Sequence, residues 1–215
     1  AARGFGAALA RLCALAGARV LVHHRGEPAD IEALCADIRA SGQQATVVHA
    51  DLGQPEAATL LREAAAAVGG LDVVFCNAAP GIPENRFLEQ EDAEILEFTR
   101  RNLAMTLATA RGTLPALRPG ARFVQVSTRY LDTPPEGFSH YLAAKSAQEG
   151  LLAGLAQEFR GVEFVIARLP RMLTDQTNLP FALSRSAAPG EVALALIRRL
   201  GERSEEPGAT HLRRL

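Results

Sequence analysis

Along the chain, compact apolar runs alternate with longer stretches in which apolar residues recur every three or four positions. The runs Arg19 to His23, Ala45 to His49, Leu71 to Cys76, Ala121 to Ser127 and Val162 to Ala167 are short and mostly rich in β-branched residues. They predict five buried strands. Ala7 to Leu15, Pro28 to Ala40, Pro55 to Val68, Glu89 to Arg111, Ser139 to Phe159 and Glu191 to Leu200 predict helices. Local punctuation agrees: Pro28 suits a first helical turn, Gly42 and Gly69-Gly70 lie just past helix ends, and Pro134-Pro135 breaks the chain ahead of Ser139. Pro170 to Pro189 predicts a loop with a short helical stretch, and Ala209 to Leu212 a final strand. Strands separated by helices of this length predict βαβ units. The expectation is one α/β domain over residues 1–215, a doubly wound parallel sheet with helices on both faces.

The N-terminus adds a second signal. Arg3-Gly4-Phe5-Gly6 runs straight into an Ala/Leu-rich helix. Glycines there let backbone approach an anion, and a helix N-terminus offers free N–H groups to it. Such a turn follows a strand in nucleotide-binding βαβ units, and none precedes it here. The first, central strand is therefore expected to be missing from this N-terminally cropped domain.

Bulk numbers exclude several classes. With 48% apolar residues, 22% charged residues and a net charge of −1, the chain reads as an ordinary globular domain. No basic stripe favours nucleic acid, and no apolar run has the length of a membrane span. Cys13, Cys35 and Cys76 are few, odd in number and far apart, which argues against disulfides and a metal site and fits a reducing cytoplasm.

One residue choice points to chemistry. The chain has 22 arginines and a single lysine, Lys145, four residues after Tyr141, one of only two tyrosines. Lysine is a compact, tunable point charge, and arginine is not its equivalent. On a helix this spacing stacks both side chains on one face, where an ammonium favours a phenolate and lowers the tyrosine pKa. The same spacing is also a common surface pairing, so its context decides.

That context resembles the short-chain dehydrogenase/reductase family over nearly the whole length. Gly4 and Gly6 match the tail of its T-G-x-x-x-G-x-G motif, Ser127 ends a strand at about the family distance from Tyr141, and Asn102 lies in the long helix before that strand. Asp51 in Ala50-Asp51-Leu52 and Cys76-Asn77-Ala78-Ala79 match two cofactor-supporting segments, with Cys76 and Ala79 departing from N-N-A-G. Pro170-Arg171 stands where the family has P-G.

The resemblance implies a Rossmann-type fold and an NAD(P)-dependent oxidoreductase. It implies catalytic Ser127, Tyr141, Lys145 and Asn102. Tyr141 would protonate the developing alkoxide and Lys145 would lower its pKa. Ser127 would hold the carbonyl oxygen, with Thr128 as the backup hydroxyl, and Asn102 would hold a relay water. His140 is placed at the site mouth. The implied cofactor contacts are Arg3, Gly4, Gly6, Arg25, Asp51, Asn77, Ala78, Pro170 and Thr174. The second strand carries no acid before Glu27, while Arg3 and Arg25 suit a 2′-phosphate, which favours NADPH over NADH.

Pro80 to Gln90 and Arg171 to Ser186 are expected to form the pocket, with Ile82, Phe87, Met172, Leu173, Leu179 and Phe181 lining it. This suits reduction of a small-molecule or carrier-bound ketone, a 3-oxoacyl thioester first, and Arg171 then steers a carrier phosphate. The alternatives are NADP-dependent alcohol oxidation and a catalytically inactive structural domain of a larger synthase. A homodimer or neighbouring domains of a multifunctional chain are the expected partners, with no nucleic acid and no membrane.

Overall fold

The computed structural model describes residues 2–26, 28–172, 186–202 and 212–215. The elements run α1 (Gly4–Leu15), β1 (Val20–His24), α2 (Pro28–Ala40), β2 (Ala45–His49), α3 (Ala57–Ala67), β3 (Leu71–Cys76), α4 (Asp92–Thr113), β4 (Leu117–Thr128), α5 (Ser139–Glu158), β5 (Glu163–Leu169), α6 (Pro189–Gly201) and β6 (Leu212–Arg214). Every strand pairing is parallel, in one ladder β1-β2 and one four-stranded order β3-β4-β5-β6. β1 and β3 share no ladder, so the sheet is in two parts.

Alternation along β4 and β5 builds two cores. Phe123 on β4 with Phe164 and Ile166 on β5 packs with Ala110, Leu114, Leu152 and Ala156 of α4 and α5 and the turn after α4. The intervening Val124, Val165 and Ala167 pack instead with Phe5, Leu9, Val192 and Leu196 of α1 and α6. Side chains two apart share a face, so one strand serves two layers. This is the doubly wound arrangement the hydrophobic pattern predicts.

The boundaries depart from expectation where polar groups intervene. α4 starts at Asp92 because Glu91 and Glu94 form a reciprocal capping box, and Phe87–Glu89 make a separate 3-10 turn ahead of it. β4 starts four residues early, at Leu117, because Arg118 reaches Asp72 at 2.6 Å and the Gly69 carbonyl at 2.8 Å, tying the bulged start of the strand to β3. The last strand, Leu212–Arg214, meets the expected 209–212 at Leu212, and residues 209–211 lie outside the described residues.

α3 and α4 approach closely at one glycine. A β-carbon on Gly112 would sit 2.6 Å from Leu61 Cβ and 2.8 Å from the Ala58 carbonyl oxygen. Neither atom is the free end of a flexible side chain. Gly112→Ala is therefore expected to destabilise the fold by about 1–3 kcal/mol in denaturant unfolding, despite alanine's better helix propensity. A neutral or stabilising result would show that the two helices can separate freely.

Candidate active site

A cleft of about 680 Å³ opens along the carboxyl ends of the strands. His23, His24 and Arg25 reach it from the end of β1, and Asp51 and Leu52 from beyond β2. Asn77 and Ala78 follow β3, Val126 to Thr128 end β4, and Leu169 to Met172 end β5. Arg3, Gly4 and Gly6 close it from the first turn of α1, and Tyr141 and Lys145 from α5. Parallel α/β sheets place ligands at this edge because all strand ends and helix starts converge there.

One end of the cleft is suited to phosphate. Gly4 adopts φ 58 at the start of α1, a conformation costly for other residues, and no side chain caps this helix end. Its first-turn N–H groups are therefore available to an anion. Arg3 and Arg25 flank it in loose, exposed ion pairs with Asp30 at 3.5 Å and Asp51 at 3.9 Å. The Asp51 carboxylate also accepts from the Gly53 N–H at 3.0 Å, which shapes the turn after β2. Asn77, Ala78 and Pro170 lie along the same cleft as these groups. The donor set fits a dinucleotide cofactor. Thr174 lies outside the described residues.

The opposite end gathers the proposed chemistry, with one change of hydroxyl. Tyr141 and Lys145 are both buried on one face of α5. Lys145 Nζ lies 5.8 Å from the Tyr141 ring centre and donates to the Val126 carbonyl at 2.9 Å. Burial pushes the Lys145 ammonium down to about 8, against the opposing pull of Cys76 and Glu149. Burial also pushes the Tyr141 phenol up to about 12, with the Thr128 hydroxyl beside it acting to lower it and Tyr130 acting to raise it. The expected depression of the Tyr141 pKa by Lys145 is absent here. The ammonium faces the ring and spends a donor on backbone, so desolvation dominates.

Ser127 does not aim its hydroxyl at Tyr141. Its Oγ donates to Glu149 Oε1 at 2.6 Å, beneath α5. Strand alternation explains this: Phe123, Gln125 and Ser127 share the face that meets α4 and α5, and Thr128 takes the opposite parity. Thr128 is thus the hydroxyl beside Tyr141. Asn102 stands on the buried face of α4. It is fully buried between α4 and α5, its Nδ2 donates to the Phe98 carbonyl at 2.9 Å, and its own carbonyl accepts from Gln148 Nε2 at 3.0 Å. The accepting group is its backbone carbonyl, and its side-chain Oδ1 is buried with no hydrogen-bond partner among the described residues. His140 is buried too, its ring edge-on to Phe98 at 4.8 Å rather than at the mouth. Phe87 points out to solvent, 61% exposed, whereas Ile82, Glu84, Arg171 and Met172 line the cleft. Leu173, Leu179 and Phe181 lie outside the described residues.

A network absent from the sequence expectations supports the floor of this end. Arg168 Nε and Nη2 grip Glu149 at 2.9 and 2.6 Å, and Nη1 reaches Asp132 on the loop after β4. Ser127 and Arg168 are register partners on β4 and β5, so both meet the same carboxylate. Two signals were available: an acid four residues after Lys145 on one helix face, and a lone charge inside the apolar run Phe164 to Leu169. Cys76, in place of an asparagine, is buried below the cleft. Its thiol donates to Thr106 Oγ1 at 3.8 Å, and burial pushes its pKa up. Among the described residues no helix is long and apolar enough to cross a membrane.

Comparison with known proteins agrees with this architecture. The model of the short chain dehydrogenase family matches residues 1–178. An uncharacterized oxidoreductase of Mycobacterium tuberculosis is 31% identical over 93% of this chain and 77% of its own length. A 3-oxoacyl-acyl-carrier-protein reductase of Staphylococcus aureus is 25% identical over 85% and 81% respectively. A hydroxynaphthalene reductase of Aspergillus fumigatus is 29% identical over 73% of this chain and 58% of its own length. A dehydrogenase/reductase structure from Sinorhizobium meliloti superposes with a TM-score of 0.85 at 26% identity, covering 99% of this chain and 88% of that one. The family match and these relatives, on this parallel fold with its cleft, identify an NAD(P)-dependent oxidoreductase. The chain belongs to the short-chain dehydrogenase/reductase family, whose members are NAD(P)-dependent.

Removing Arg168 would take the guanidinium from a carboxylate that is only 8% exposed, leaving the Ser127 hydroxyl bonded to it but no cation gripping it. Arg168→Met is therefore expected to cost about 3–5 kcal/mol, and the double variant Arg168→Met/Glu149→Leu to recover most of it. A small loss in the single variant would show that Glu149 reaches water. For Lys145, a folded pKa below the unfolded one means the buried ammonium costs stability below about pH 8. That cost is relieved as pH rises toward the unfolded value, since the unfolded chain then holds more protons. Lys145→Met should be more stable than wild type by roughly 1–3 kcal/mol at pH 7, with the gap closing between pH 8 and 10.5. A gap independent of pH would contradict it.

Proposed function

We propose that this chain reduces a ketone to a secondary alcohol with NADPH, using Tyr141 as proton donor and Thr128 as the hydroxyl that holds the carbonyl oxygen. The observation that carries this reading is the meeting of Thr128, Tyr141 and Lys145 at one end of a cleft whose other end is lined by Arg3, Arg25 and the start of α1. When bound, the cofactor supplies the hydride. The first turn of α1 with Arg3, Gly4 and Gly6 would hold its pyrophosphate, and Arg25 with Arg3 its 2′-phosphate. Asn77, Ala78 and Pro170 would lie against its nicotinamide half.

The chain's own residues then handle the proton. A phenol pushed up to about 12 stays protonated through the physiological range, so Tyr141 is always charged with the proton it must give. Thr128 orients that phenol and offers its own O–H to the same carbonyl oxygen. Lys145, four residues on along α5, would bond the ribose of the cofactor's nicotinamide half through its ammonium, which requires the protonated form. Ser127 serves structure through Glu149, and Asn102 joins α4 to α5 through Gln148. A 3-oxoacyl thioester is the linear candidate substrate, supported by the Staphylococcus aureus relative and by Arg171 at the cleft, which suits a carrier phosphate.

The test is NADPH oxidation followed by absorbance, against β-ketoacyl thioesters and cyclic ketones. Tyr141→Phe should lower kcat/KM by about 10²–10⁴-fold, the range of general acid catalysis. Thr128→Val should lose about a hundredfold, as for removal of one donor to a developing oxyanion, whereas Ser127→Ala should keep kcat within a few-fold. Wild-type kcat/KM should fall above about pH 8 as Lys145 loses its proton. If Ser127→Ala were as inactive as Thr128→Val, the hydroxyl assignment would be reversed. Wild type that neither oxidises nor binds NADPH would point to a structural domain.

A further inference from the structure

The wall facing the proposed proton donor is built of aromatic rings. Phe and Tyr number 11 in 215 residues, with no Trp, yet both tyrosines and one phenylalanine meet here. Tyr130 lies 5.4 Å from Phe138 and 6.4 Å from Tyr141, and Phe138 lies 6.5 Å from Tyr141, all edge-to-face. Tyr141 is buried, but Tyr130 and Phe138 are half-buried and line the cleft.

Neither outer ring is on a loose tether. The Tyr130 backbone N–H donates to Thr128 Oγ1 at 3.2 Å, which ties the backbone carrying that ring to the hydroxyl beside Tyr141. Phe138 follows Gly137, whose carbonyl accepts from the Asn85 N–H at 3.0 Å. Gly137 sits at φ 77, and a β-carbon there would stand 2.9 Å from Glu84 Cγ. The β4–α5 loop is thus stitched to the Pro80–Gln90 wall through a position that only glycine fills easily. Ile82 and Met172 line the same cleft with apolar side chains.

We propose that Tyr130 and Phe138 form a preset aromatic wall that seats a flat ring, making a planar cyclic ketone this chain's preferred substrate over a linear acyl ketone. This rests on the ketone-reductase reading above. An added ring joins such a cluster in the stacked or edge-to-face geometry the side chains already use with one another, 4.5–7 Å between centres. Each such contact is worth up to about tenfold in affinity beyond simple area burial. A linear acyl chain gains the area alone. Because the rings are held without a ligand, little ordering cost is left for binding.

The experiment compares kcat/KM with NADPH for 2-tetralone, a fused-ring ketone, and acetoacetyl-CoA, a linear one. Wild type should favour 2-tetralone by about a hundredfold. Tyr130→Ala and Phe138→Leu should each lower the ring-ketone value about tenfold more than the linear value. Tyr130→Phe, which keeps the ring and loses the phenol, should retain the preference. Fluorescence anisotropy of 2-naphthol, a flat unreactive probe, should show binding weakened by a similar factor in the same two variants. Equal losses on both ketones, unchanged values in both variants, or a wild-type preference for acetoacetyl-CoA would overturn the wall. If no ketone turns over, unchanged 2-naphthol binding in the two variants overturns it, and weakened binding supports a ring seat. Full activity in Tyr141→Phe would instead strike the reductase mechanism while leaving the naphthol result to judge the wall.

Discussion

The two-residue alternation of β4 and β5 is the constraint on which the site depends. These strands are covered on both faces, so each side chain is assigned to one helical layer with no freedom to choose. On β4 the odd positions 123, 125 and 127 meet α4 and α5, and the even positions 124, 126 and 128 meet the other side and the cleft. On β5 the even positions 164 and 166 meet α5, and Arg168 follows them to Glu149. A slip of one residue would trade Thr128 for Ser127 beside Tyr141 and would take Arg168 away from Glu149 and Asp132.

The layer between the sheet and α4–α5 is polar where a simple core would be apolar. Gln125, Thr106, Gln148 and Asn102 are buried and exchange hydrogen bonds there, next to the Ser127–Glu149–Arg168 set. Asn102 Oδ1 and Gln148 Oε1 have no hydrogen-bond partner among the described residues, a cost of burying them, but the bonds that do form allow few alternative arrangements. Here they fix the rotation of α5 relative to β4, and α5 carries both Tyr141 and Lys145. The cost of sinking an ammonium into this region is visible in the lowered Lys145 pKa. Precision at the site and stability of the fold pull in opposite directions at that one residue.

Much of the fold was legible because its signals are local. Pro28 and Gly42 bracket α2, and the β-branched run at 45–49 is a strand to the residue. The tyrosine–lysine pair was legible because a single lysine among arginines needs a reason. The choice between Ser127 and Thr128 was harder to see, because their hydroxyls are adjacent in sequence and opposite in space. Counting parity from Phe123 would have separated them, but only once that ring's face was known. The capture of Asn102 by Gln148 was not legible. It joins two helices through residues 46 positions apart, and nothing in either helix alone calls for it. Arg168 was visible as a charge in an apolar run, yet its partners Glu149 and Asp132 become evident only when strand and helix are stacked.

The single lysine has a practical corollary for handling the protein. Every other cationic side chain is an arginine, which does not react with common acylating reagents, and Lys145 is shielded by α5 and β4. Amine-directed chemistry therefore has one side-chain target, set in the cleft, and its lowered pKa leaves a useful fraction as free nucleophile near pH 8. A small acylating probe would read out occupancy of the cleft at one atom, with ligands appearing as protection. The composition that made the residue conspicuous also makes it a built-in reporter.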